Sequence, residues 1–307
     1  MNRLLLFIVL SAFCSLPAAA ADLDKTIRLD GLQRQYIIHL PPDFNTTGKW
    51  PVIFALHGGG GTYKNTVSFY NLNGLGDEHG YIIVYPNAVN KSWSMKGVSS
   101  KVRGNSQDID DVKFISVLMD TLIAGYHADS RRFFCTGISR GGIFSLFLAG
   151  KLSERIRAIA PVCASLPQSV IGDYHFQHPT PVLLINGTAD PLISYTGGKG
   201  RFNTSRGTPD EYDMLPTEDL VRKINELNNC TAKPVMTDMP NADRNDGCTA
   251  VKYTYACDAV TVEFIKISNG GHTWPGGSQY LPKMIVGKVC KDFKAEEEVF
   301  RFFETMR

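Results

Sequence analysis

The chain has 307 residues, 43% of them hydrophobic and 20% charged, with a formal net charge of +2. That size and balance suit one large globular domain rather than two. With no basic run in the sequence, neither nucleic acid nor an anionic surface is an expected partner.

The first 21 residues differ from the rest. MNRLLLFIVLSAFCSLPAAAA carries Arg3, an apolar run over residues 4–13 and a small-residue tail of A-x-A type. This pattern predicts a secretory signal peptide, which is too short to remain as a membrane span and leaves a mature domain of residues 22–307. Phe13 is too bulky for the position before a lipidated cysteine, so Cys14 is not expected to be an anchor. Beyond the leader stand Cys135, Cys163, Cys230, Cys248, Cys257 and Cys290. An even set in an exported chain predicts at least two disulfides. Cys230 and Cys257 flank one loop-and-strand segment and are the first candidate pair. Cys135 and Cys163 lie in apolar runs and could equally be buried thiols.

In chain order, LQRQYIIHLP predicts an antiparallel strand near a sheet edge. PVIFALHG and YIIVYP are continuous apolar runs, suited to strands buried on both faces. DDVKFISVLMDTLIAGY places Val112, Ile115, Leu118, Met119 and Leu122 at helical spacing. The strand RRFFCTG, the apolar helix IFSLFLAGKL and the buried strand IRAIAPVC follow. PVLLINGTAD is a further strand ended by turn residues. PTEDLVRKINELN reads as a capped helix opening on Pro216 and Thr217. VKYTYA and AVTVEFIKIS are strands, and AEEEVFRFFETM is the last helix. Strands alternating with helices predict an α/β fold with a mostly parallel central sheet in a single domain. Two irregular stretches, residues 87–107 and 194–216, are long enough to frame a pocket or to be surface decoration.

Four short motifs carry the chemistry. TGISRGG sets Ser139 between Gly137 and Gly141 at a strand-to-helix turn, the setting that lifts a serine hydroxyl above a sheet. ALHGGGGT follows a buried strand, where glycines allow a backbone N–H to approach a developing oxyanion. INGTADPL places Asp190 in a turn after a strand, and SNGGHTWPGG places His272 in a glycine-rich loop after another. Each motif alone is a common turn. Together they run nucleophile, acid, base, the chain order of the α/β-hydrolase fold. His175 and His178 lack a third metal ligand and no H-E-x-x-H is present, so neither metal nor cofactor is expected.

At these residues the chain resembles the secreted polyhydroxybutyrate depolymerase and feruloyl esterase group of α/β-hydrolases. The similarity spans nearly all of residues 22–307, through LHGGGGT, DDVKFI, TGISRGG, IAPVCASLP, NGTADPLISY and GGHTWPGG. The resemblance implies a serine carboxylic-ester hydrolase with Ser139 as nucleophile, His272 as base and Asp190 as acid. It implies an oxyanion hole from the backbone of Gly59 and Arg140, and a substrate pocket lined from the Trp93 and Trp274 loops. Hydroxyacyl or aromatic-acyl esters, small or oligomeric, are the implied substrates. Arg140 stands where the group often has Asn, and Asn186 where it often has His. The Arg140 guanidinium is then expected either to meet the substrate or to pair with Asp110 or Asp111. Two competing readings stay open at this point: a serine peptidase on the same fold, and a non-catalytic glycan- or polyester-binding protein on a hydrolase scaffold.

Overall fold

The computed structural model describes residues 20–95, 109–199 and 213–306. Of the expected leader, residues 1–19 lie outside the described residues, as do most of the two irregular stretches. The chain runs through β1 (Ala21–Leu29), β2 (Leu32–Leu40), β3 (Trp50–Leu56), α1 (Tyr63–Tyr70), α2 (Leu72–His79) and β4 (Ile82–Pro86). It continues through α3 (Asp111–Tyr126), β5 (Ala128–Ile138), α4 (Arg140–Leu152), β6 (Ile156–Val162) and β7 (Val182–Gly187). The short pair β8 (Gly198–Lys199) and β9 (Asp213–Met214) precedes α5 (Thr217–Leu227), β10 (Val235–Asp238), β11 (Thr249–Ala256) and β12 (Thr261–Ser268). Two helices close the chain, α6 (Lys283–Val286) and α7 (Ala295–Glu304).

Ten strands form one sheet in the order β1-β2-β4-β3-β5-β6-β7-β12-β11-β10. Pairings from β4 through β12 are parallel, and the two strands at either end are antiparallel. The strand LQRQYIIHLP is thus antiparallel and next to the sheet edge, as expected. A hairpin turn at Asp30 (φ 49°) and Gly31 (φ 78°) adds β1 outside it. Both turn residues hold the positive φ that a two-residue hairpin needs.

The pleat divides the core. Val52, Phe54 and Leu56 of β3 face one layer with Phe114, Ile143 and Leu220, while Ile53 and Ala55 face the other with Tyr70, Leu72, Val299 and Phe303. Helices α3, α4 and α5 cover the first face, and α1, α2 and α7 the second. Covering both faces explains why the central strands read as continuous apolar runs. Helix α4 is buried from Arg140 through Gly150, so it is apolar nearly all round rather than striped. At α5 the expected side-chain cap is absent: Pro216 is the N-cap and offers no side-chain acceptor, and Thr217 already lies inside the helix. Glu218 and Asp219 in the first turn favour the positive end of the helix dipole instead.

Candidate active site

The strands β3, β5, β7 and β12 all end at one edge of the sheet, and each of the four motifs follows one of them. At the end of β5, Ser139 adopts φ 57° and ψ −125°, a backbone that non-glycine residues rarely hold. The turn is pinned by its neighbours: the Ser139 amide donates to the Val162 carbonyl at 2.9 Å, and the Ile143 amide to the Ser139 carbonyl at 2.8 Å. Crowding at this elbow dictates its glycines. A Cβ on Gly141 would lie 2.0 Å from the Leu56 carbonyl oxygen, so only glycine lets α4 start this close to β3. Ser139 is buried but for 8% of its surface.

Asp190 and His272 meet although 82 residues separate them. His272 Nδ1 lies 2.7 Å from Asp190 Oδ2, with both side chains 2% exposed. The other carboxylate oxygen accepts the amides of Leu192 and Ile193, each at 2.8 Å, which fixes the carboxylate plane. An ionised carboxylate only accepts, so Nδ1 carries the proton and Nε2 is left as the basic nitrogen. The His272 backbone is held as firmly. Its amide donates to the Val286 carbonyl at 2.6 Å, and its carbonyl accepts the Tyr280 hydroxyl at 3.0 Å.

Gly58 and Gly59 lie against the elbow: a Cβ on Gly58 would stand 3.7 Å from Ser139 Cβ, and one on Gly59 3.7 Å from Arg140 Cβ. The amides of Gly60 and Gly61 are spent on the carbonyls of Lys91 and Gly58. Among the described residues no backbone acceptor takes the Gly59 amide. Arg140 opens α4 directly after Ser139. The Gly58–Gly59 loop and the first residue of α4 thus stand close together at the serine.

His57, passed over in the sequence as the start of a glycine run, sets the pose of that loop. Nδ1 donates to the Gly58 carbonyl at 2.8 Å while Nε2 accepts the Ala88 amide at 3.0 Å. The Gly58 carbonyl and the Gly59 N–H belong to one peptide plane, so anchoring the first aims the second. Burial pulls His57 down to about 4, against a smaller upward pull from its bond to Gly58, so the ring is neutral near pH 7. Tyr70 plays a comparable part. Its hydroxyl donates to the Leu56 carbonyl at 2.7 Å and accepts the Ile138 amide at 2.9 Å, joining the ends of β3 and β5.

The two expected substrate-contacting tryptophans are corrected here. Trp93 and Trp274 are 0% and 1% exposed, so neither presents a surface to a substrate. Trp93 stacks on Phe144 at 4.8 Å and donates from Nε1 to the His57 carbonyl at 2.8 Å. Trp274 stacks on Tyr70 at 4.4 Å and donates to Glu296 Oε2 at 2.8 Å. An indole with one N–H is stable in a core once that donor is matched, and both are. The partly exposed aromatic group beside His272 is Tyr280, 39% exposed and edge-on to Phe69 at 5.6 Å. No periodicity or motif marks either residue.

Among the described residues, neither Asp110 nor Asp111 receives the Arg140 guanidinium. Its Nε and Nη2 donate to the Trp93 carbonyl at 3.1 and 2.7 Å. Asp111 is engaged by Arg34 and by the Ser94 amide at 2.6 Å, and Asp110 caps α3 through the Lys113 amide at 2.8 Å. Burial raises Asp111 above the usual carboxylate range despite the guanidinium beside it. Asn186 fills its unusual position productively: Oδ1 accepts the Ala164 amide at 3.0 Å, and Nδ2 donates to the Ala164 carbonyl at 2.8 Å and to the Thr217 hydroxyl at 3.1 Å.

Cys163, Asp190 and His272 bring one thiol, one carboxylate oxygen and one ring nitrogen within 4.8 Å of one another, a spacing a metal ion could use. The carboxylate and the imidazole are already bonded to each other. The Cys163 thiol points to the Thr273 carbonyl at 3.3 Å, and burial raises its pKa well above the ordinary value, so it packs beneath the loop as a neutral group. The pair Cys230–Cys257 is joined as expected, whereas Cys135, Cys163, Cys248 and Cys290 are thiols. Among the described residues no helix is long and apolar enough to cross a membrane.

Comparison with known proteins places the chain among esterases. Residues 31–191 match the family described as "Putative esterase". The chain is 25% identical over 289 residues to the putative esterase NocK of Nocardia uniformis subsp. tsuyamanensis, covering 93% of this chain and 83% of that one. It is 24% identical to the bifunctional acetylxylan esterase/xylanase XynS20E of Neocallimastix patriciarum, covering 77% of this chain and 31% of the relative. It is 27% identical to the probable feruloyl esterase C of Aspergillus niger, covering 54% of this chain and 58% of that one. The chain thus spans less than two thirds of the latter two relatives. Among solved structures, the acetyl xylan esterase from Aspergillus awamori superposes with a TM-score of 0.56 at 14% identity, over 82% of this chain and 94% of that one. That likeness is one of fold, and it is the α/β-hydrolase architecture expected from the motif order.

Proposed function

Because the chain belongs to the esterase family that its residues 31–191 match, and is a carboxylic-ester hydrolase, we propose that Ser139, Asp190 and His272 perform the hydrolysis as a triad. The observation that carries this reading is the buried 2.7 Å contact between His272 Nδ1 and Asp190 Oδ2, at the same sheet edge as the strained Ser139 elbow. His272 Nε2 takes the Ser139 proton as the oxygen attacks the ester carbonyl, and Asp190 stabilises the imidazolium that forms. The N–H groups of Gly59 and Arg140 receive the oxyanion, a donor pair whose members are typically worth ~3–4 kcal/mol each in the transition state. His272 returns the proton to the departing alcohol, then activates the water that frees the acid. Nothing in this cycle calls for a cofactor.

The substrates are aromatic-acyl or hydroxyacyl esters, small or oligomeric. Feruloyl and acetylxylan esterases among the relatives support an acyl group carried on a polyol or polysaccharide. Tyr280 and Phe69 form the aromatic wall against which that acyl group lies. Residues 1–21 act as an export signal, and the Cys230–Cys257 bridge accords with an oxidising destination. A fluorophosphonate probe tests the mechanism: it should label Ser139 in the native chain and fail to label Ser139→Ala. Ester turnover by folded Ser139→Ala above a few per cent of the parent would show that another residue attacks.

A further inference from the structure

One carboxylate ties together two segments that each carry a buried thiol. Asp246 Oδ1 accepts the Cys248 amide at 2.6 Å, and Asp246 Oδ2 accepts the Lys291 amide, next to Cys290, also at 2.6 Å. Two backbone nitrogens on the oxygens of a single carboxylate lie close together. Cys248 and Cys290 are thus held on either side of one carboxylate, in a neighbourhood where a disulfide would need roughly 4.4–6.8 Å between Cα atoms. The Cys290 side chain turns toward the same carboxylate. The Cys290 sulfur, an Asp246 oxygen and an Asp292 oxygen lie within 4.8 Å of one another. Cys248 and Cys290 are 3% and 1% exposed and belong to the same apolar cluster, behind β12.

We propose that Cys248 and Cys290 are a second disulfide site, closed when the chain folds in an oxidising compartment. The step is a thiol–disulfide exchange with a small-molecule or protein disulfide. One cysteine attacks the oxidant to form a mixed disulfide, and the other displaces it. The Sγ–Sγ bond forms, both thiol protons are released, and two electrons reduce the oxidant to its two thiols. Burial and the neighbouring carboxylates push Cys248 up to about 11 and Cys290 up to about 12, so the finished fold holds few thiolates. Closure therefore belongs to folding, before the segment is sealed, and the bond once made is screened from reductants.

The bridge would fasten the segment from which the His272 loop hangs. The Lys288 carbonyl accepts the Gly271 amide at 2.9 Å and the Thr273 hydroxyl at 3.1 Å, and the Cys290 carbonyl accepts the Gly276 amide at 2.8 Å. A cross-link at Cys290 holds this segment to the start of β11 without touching any reacting group.

The test is non-reducing peptide mapping of the full chain, refolded with oxidised and reduced glutathione until Cys230–Cys257 is fully bridged. Free thiols are alkylated under denaturing conditions before digestion. A Cys248–Cys290 linked peptide, with Cys135 and Cys163 alkylated, is the expected result. Alkylation of both Cys248 and Cys290 in that sample would overturn the proposal, and so would linkage of either to any other cysteine. As a second readout, the Cys248→Ser/Cys290→Ser chain should hydrolyse esters as fast as the parent at 25 °C but lose activity sooner on heating. Equal thermal half-lives would refute the fastening role.

Discussion

Replacing His57 by Phe separates the worth of a neutral buried imidazole from that of the triad. Its folded value of about 4 lies below the ordinary 6.5, so between those limits the unfolded chain binds a proton that the folded chain refuses. Stability from this group is therefore complete above pH 6.5 and declines as pH falls toward 4. The decline approaches ~1.4 kcal/mol per pH unit within the window and sums to about 3 kcal/mol across it. In the Phe variant that titration is gone, but the Ala88 amide loses its acceptor, a standing cost of about 1–3 kcal/mol at every pH. The parent should thus be the more stable chain at pH 7, with its advantage shrinking by about 3 kcal/mol on the way to pH 4. Urea denaturation of both chains at half-unit steps from pH 7 to 4 measures the difference directly. A difference that stays constant over that range would refute the argument, because it would mean that His57 takes up its proton in the fold at the same pH as in the unfolded chain. The same variant should lower kcat on simple esters with little change in KM, since the Gly59 amide loses its anchor while the acyl wall does not.

Ser139→Gly should abolish ester hydrolysis yet raise the unfolding free energy by about 1 kcal/mol, because glycine relieves the left-handed backbone at the cost of some unfolded-state entropy. Denaturation midpoints of the two chains decide this, and a less stable glycine variant would contradict it. Gly141→Ala should cost more than about 3 kcal/mol, since its methyl would stand 2.0 Å from the Leu56 oxygen and backbone would have to move. A melting temperature close to that of the parent would show that the elbow yields more easily than its packing indicates. Arg140→Asn should lower thermal stability through loss of the two bonds to the Trp93 carbonyl, about 1.5–3 kcal/mol. The ratio of rates across acetyl, feruloyl and hydroxyacyl esters should stay flat; a change confined to esters bearing a carboxylate would instead place the guanidinium on the substrate.

The parallel core was legible because its strands are buried on both faces, which strips polar residues from PVIFALHG, YIIVYP and PVLLINGTAD. The first strand was not, since β1 is a half-exposed edge with mixed composition, although its Asp30–Gly31 turn is a recognisable hairpin signal. Helices α1 and α2 escaped for a related reason: each is eight residues long, and glycines at 74 and 76 lower the propensity of the second. The candidate triad residues were legible because chain order and flanking turns constrain them jointly. The tryptophans were misjudged because a motif reports which residues sit near a site, and not which way they point. Trp274 turns inward since its N–H finds Glu296, 22 residues later, a match that no local pattern encodes. His57 and Tyr70 were missed for the same cause, as their roles rest on contacts to Ala88, Leu56 and Ile138 across the sheet.

The Tyr70 hydroxyl has a consequence for how this molecule breathes. One oxygen serves the ends of two neighbouring strands while its ring lies flat on Trp274, so three separate loops share a single fastening. None of them can open by itself without orphaning a buried phenol and two buried backbone groups. In amide hydrogen exchange the Ile138 N–H should therefore exchange only through a large, cooperative opening, with a free energy near that of global unfolding. Such coupling makes the bed beneath the outer aromatic pair, Phe69 and Tyr280, a single unit that opens as a whole or not at all.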